Sequence, residues 1–64
     1  MNQRLINETA FSMAASLLAI VQNCIRPEEQ RDAFREFYDL CKTNLEAYQI
    51  QAERMLQRLK PSKN

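Results

Sequence analysis

From Met1 to Lys60 the backbone is offered one obvious place to break. The chain has no glycine, and its two prolines are Pro27 and Pro61. Tight turns that need positive φ are costly to build without glycine, and the other turn-forming residues are sparse. The expectation is an all-α fold with a single interruption.

Apolar spacing agrees. After the proline, Phe34, Tyr38, Cys41, Leu45, Tyr48, Ala52, Met55 and Leu59 step by 4, 3, 4, 3, 4, 3, 4, a heptad seam. Before it, Ile6, Ala10, Met13, Leu17, Ile20 and Cys24 step by 4, 3, 4, 3, 4. The two seams share one phase, as a continuous coiled coil would require, but continuity would put Pro27 and Arg31 on the seam together. Proline inside a helix loses a hydrogen bond and clashes with the preceding turn, at about 3 kcal/mol. At the start of a helix it loses nothing. Glu28 and Glu29 would then occupy the first turn, where acids suit the helix dipole. Arg26, before proline, is pushed toward extended angles, and Asn23 tolerates a left-handed helix stop. These features predict an antiparallel helical hairpin: helix 1 over about 3–23, helix 2 over about 27–60, residues 61–64 a frayed tail, the whole a single domain. Asn2 or Asn7 would cap the first helix, Asn7 with Ile6 and Phe11 as the hydrophobic staple.

Such a hairpin does not cover itself. At 1.5 Å per residue helix 1 is ~32 Å long and helix 2 ~50 Å, so helix 1 ends opposite roughly Tyr48 to Gln51. Ala52, Met55, Leu56 and Leu59 are left without an intrachain neighbour. Helix 1 carries a second apolar line beside its seam (Phe11, Ala14, Leu18, Val21, Ile25), and helix 2 a weaker one (Leu40, Thr43, Ala47, Ile50). A helix that is apolar most of the way round is a buried helix, and a chain of 64 residues makes too small a core to bury it alone. The expectation is a homo-oligomer, a dimer forming a four-helix bundle, with Phe11, Leu18, Val21, Ile50, Met55, Leu56 and Leu59 at the contact.

Charge supplies the alternative. Arg54, Arg58, Lys60 and Lys63 close the chain with no acid among them, whereas Met1 to Glu53 holds five cations and eight acids. A basic helix end complements the helix dipole; the same four residues would serve as phosphate contacts on RNA or DNA, doubled by dimer symmetry. In size and outline a hairpin dimer resembles the plasmid copy-control RNA-binding proteins. That resemblance is one of architecture, and no binding residue is carried over from it.

Other classes find little footing. Histidine is absent, which removes the usual metal pairings and general bases, and the acids fall off the seams. No glycine-rich phosphate loop or nucleophile motif occurs. Neither an enzyme nor a cofactor is expected. Asp32 with Arg35 or Glu36, and Arg35 with Asp39, read as weak surface ion pairs. Cys24 and Cys41 sit on opposite arms ~16 Å apart along the axis, too far for a disulfide, and read as packing residues in a reducing cytoplasm. Phe34, Phe37 and Tyr38 cluster near the turn, where Phe34 and Tyr38 on the seam would cap the core and Phe37, off the seam, would be free to anchor a partner. Thr9 to Ile25 lacks charge for 17 residues, short of the ~20 apolar residues of a membrane span, and no cleavage site follows it. The function expected is that of a small helical interaction module (an adaptor, scaffold or regulator).

Overall fold

The computed structural model describes residues 2–59, which form a two-helix antiparallel hairpin. Helix α1 spans Gln3–Val21 and helix α2 spans Gln30–Leu59. The expected positions of Lys60, Lys63 and the 61–64 tail lie outside the described residues.

Of the two candidate caps, Asn2 serves: its Oδ1 accepts from the Leu5 N–H at 3.0 Å. Asn7 lies inside the helix, so the Ile6–Phe11 staple does not apply. Helix α1 ends two residues before the expected boundary, because Gln22–Cys24 tighten into a 3₁₀ turn. No left-handed stop forms at Asn23. The chain instead leaves through two extended residues, Ile25 (φ −123°, ψ 133°) and Arg26 (φ −64°, ψ 144°). Two donors converge on the Gln22 carbonyl, the Ile25 N–H at 3.3 Å and the Gln30 amide at 3.4 Å, which ties the turn to α2. Pro27 opens the second arm as foreseen, but as a 3₁₀ turn, Pro27–Glu29, before the α-helix begins. Its missing N–H costs nothing there.

The inward face of α1 differs from its expected seam. Ala10 and Ala14 are fully buried, and Leu17, Leu18, Val21 and Ile25 are half-buried. Met13 and Cys24 are exposed, and Ile20 is 77% exposed. The contact runs between the two apolar lines of α1. The partner decides this. Near the turn α2 presents Phe34, Phe37 and Tyr38, and bulky rings pack most closely where the opposing helix is small. Phe11 closes one edge, its ring 5.0 Å from that of Phe34 at 70°. On α2 the expected seam holds through Cys41, 4% exposed, and Leu45. It then drifts so that Gln49 turns inward and Tyr48 outward, the drift of a straight 3.6-residue helix against a 3.5-residue repeat. The far end is latched by Gln3 Nε2 donating to Glu46 Oε2 at 3.0 Å. Beyond Ile50, every described residue of α2 is exposed.

The molecule measures 58 × 18 × 13 Å. The shortest dimension is about one helix diameter. The hairpin is therefore a single layer, whereas a domain normally needs two to enclose a core.

Candidate interaction surface

Among the described residues the buried apolar set is Ala10, Ala14 and Cys41, and no large side chain is fully buried. Ten large apolar side chains are instead exposed: Leu5, Phe11, Met13, Ile20, Leu40, Tyr48, Ile50, Met55, Leu56 and Leu59. Scattered surface leucines need no explanation, but this many on so small a chain form patches.

The patches have a side. One broad face of the hairpin has a cleft between the helices lined by Leu5, Ile6 and Thr9 on α1 and Leu45, Tyr48 and Ala52 on α2. At 100° per residue, Met13 and Ile20 fall on the same side of α1, and Phe37, Asn44, Gln51 and Met55 lie within about 60° of Tyr48 round α2. Met13 and Ile20 line a shallow apolar groove with Ser16 and Leu17. No formal charge lies on this face from the turn to Met55. The opposite broad face has its own cleft, lined by Glu8, Phe11, Phe34, Arg35 and Tyr38. Arg4 on α1, and Arg31, Lys42, Glu46 and Glu53 on α2, fall on that side. One face is charged, then, and the other neutral.

The expected contact residues divide. Ile50, Met55, Leu56 and Leu59 are exposed, Leu59 to 69%. Leu18 and Val21 are half-buried toward α2, because the inward face of α1 takes in part of the line to which they belong. Phe11 sits at the rim of the charged face with its ring against Phe34. Leu5, Met13, Ile20, Leu40 and Tyr48 were absent from the expected set. The signal for Leu5, Met13, Ile20 and Tyr48 was available, since they lie where both helices lack charge, but finding them requires knowing which lines face inward; Leu40 stands apart, beside Glu36 and Asp39.

Arg54 and Arg58 are exposed on the projecting end of α2. Among the described residues the one ion pair within 4.0 Å is Arg4–Glu8, at 3.2 Å. The pairs expected among Asp32, Arg35, Glu36 and Asp39 are not made, and these acids have no ionic partner within 4.0 Å among the described residues. Cys24 is exposed and Cys41 buried, both as free thiols. No group of three His, Cys, Asp or Glu side chains is placed to hold a metal ion among the described residues.

One expectation about membranes is corrected by helix length. Gln3–Cys24 is long and apolar enough, by length and composition, to cross a bilayer. The charge-free count from Thr9 missed this because Arg4 and Glu8 fall near one end, where a span tolerates them. The chain matches no known protein family, no curated protein and no solved structure.

Proposed function

We propose that this chain is a self-associating helical interaction module, a scaffold or adaptor that works by presenting helix faces to a second copy and to a protein partner. What carries the reading is the single layer itself: ten large apolar side chains outside and no large one fully inside. Small chains short of a core recruit a partner, a metal or a disulfide. Here the cysteines are unpaired. A second hairpin laid on the neutral face supplies the missing layer and makes a four-helix bundle. The charged face stays in water, and the projecting end of α2 extends past α1 onto the second copy. The module has no catalytic role in this reading and works in the cytoplasm, where its thiols stay reduced.

Sedimentation equilibrium of the full chain from about 1 to 100 µM tests this, with thermal unfolding across the same range. The expected result is a dimer whose melting temperature rises with concentration, as linkage requires for obligate association. A monomer at every concentration, folded and with a constant melting temperature, overturns the proposal.

Two features favour other readings, and each has a direct test. Exposed Arg54 and Arg58 suit an RNA- or DNA-binding hairpin dimer. That reading requires an affinity that falls steeply with salt, and no mobility shift at low salt ends it. The apolar Gln3–Cys24 helix suits a membrane. Partition into vesicles of zwitterionic lipid would favour that alternative over a bundle.

A further inference from the structure

We infer that the cleft on the charged face is the docking site for the protein partner, and that it takes an amphipathic helix carrying acids along one side. The inference rests on the interaction-module reading above and names the partner's chemistry. It leaves the neutral face to the second copy, because the two broad faces lie on opposite sides of the hairpin.

The two rims of this cleft differ. At 100° per residue, Arg31, Arg35 and Lys42 fall within about 40° of one another and form the rim on α2, running ~16 Å along the helix from near the turn. Opposite them the rim on α1 is Leu18, Ala15 and Phe11. It carries no charge until Glu8, which Arg4 already pairs at 3.2 Å. Phe34 and Tyr38 line the trough between the rims. Phe11 rests edge-on against Phe34 and is still left 57% exposed. The trough holds about 660 Å³, within the roughly 300–1,000 Å³ of sites that bury an apolar ligand.

Charge names the occupant. Among the described residues the three cations of the α2 rim have no ionic partner within 4.0 Å. Asp32, Glu36 and Asp39 stand further round, toward the outer edge of α2, and do not reach them. A helix laid in the groove buries its apolar stripe on Phe11, Phe34 and Tyr38. Acids on the side that passes α2 meet Arg31, Arg35 and Lys42, and the side that passes α1 needs no charge. A phosphate chain suits the site less well: Asp39 and Glu46 flank the cations, and the apolar α1 rim gives a second row of phosphates nothing to bind. A dimer built on the neutral face holds two such helices, one on each outer face, and is therefore bivalent.

Fluorescence anisotropy with a labelled synthetic helix tests this. The probe is a peptide of about 16 residues with leucine at every third or fourth position and glutamate along one flank. Its control carries lysine for each glutamate. In about 50 mM salt the full-length chain is expected to bind the glutamate peptide at least about tenfold more tightly than the lysine peptide. Arg31→Glu with Arg35→Glu, both sites exposed, should reverse that preference. Arg54→Glu with Arg58→Glu, the same change in net charge on the projecting end, should keep it. Circular dichroism checks that both double variants stay helical. Equal binding of the two peptides, or equal loss in the two double variants, overturns the inference. So does a labelled oligouridine that binds more tightly than the glutamate peptide. Sedimentation of the same samples separates the two proposals. A dimer that ignores both peptides overturns this partner while self-association stands, and a monomer that prefers the glutamate peptide keeps the partner without self-association.

Discussion

Ile20 separates a lone hairpin from an assembled one more sharply than any other residue. It is 77% exposed and sits on the neutral face of α1, near the turn. In an isolated hairpin the side chain does almost nothing, and Ile20→Glu is close to neutral there because glutamate is at least as good a helix former as isoleucine. In a dimer built on the neutral face, most of that exposed isoleucine leaves water in each copy. Burying one such side chain stabilises by about 1.5–3 kcal/mol. The substitution removes it twice, so the loss is at least ~3 kcal/mol, or roughly a hundredfold in dissociation constant. The desolvation of two unpaired carboxylates adds to this. Sedimentation equilibrium measures the dissociation constant, and circular dichroism of dilute protein reports whether the hairpin itself survives. The control is Ala15→Glu, exposed and about 140° round α1 toward the charged side, where no change in association is expected. If Ile20→Glu associates as tightly as wild type, the neutral face is not the contact and the sidedness argument fails, whatever the oligomer order.

Other consequences are open to measurement. Ala14 is fully buried against α2, so Ala14→Leu overpacks the contact and should cost about 1–3 kcal/mol in denaturant unfolding; an unchanged midpoint would mean that the helices can separate there without penalty. Asn2→Ala removes the 3.0 Å cap bond to the Leu5 N–H, and about 1 kcal/mol of stability should go with it while assembly order is kept.

Much of the architecture was readable because one residue type was missing and another occurred once internally. With no glycine and a single internal proline, the chain had one place to turn, and the two acids after Pro27 marked the start of a helix. The overhang followed from arithmetic on helix length. What was not readable was the rotation of α1. It carries apolar residues on two adjacent lines, and a 3-4 pattern along either satisfies a one-dimensional test. The choice depends on volumes facing each other across the contact: the small Ala10 and Ala14 are buried in it, and Met13 and Ile20 are left outside. The exact helix ends were hidden for a related reason, since the 3₁₀ turns at Gln22–Cys24 and Pro27–Glu29 are set by where the two arms must meet.

The rotation changes what the first seam means. Ile6, Met13, Ile20 and Cys24 keep a seam-like spacing, yet three of the four are exposed. A seam is a pattern for packing against a helix, and α2 already occupies the neighbouring line through Ala10 and Ala14. Met13 and Ile20 therefore have no helix of their own chain to meet. They lie on the face that lacks charge, nearer the turn than Leu5 and Tyr48. Two seams on one helix call for two neighbouring helices, and the fold provides one. A second hairpin is the smallest addition that would fill the vacancy.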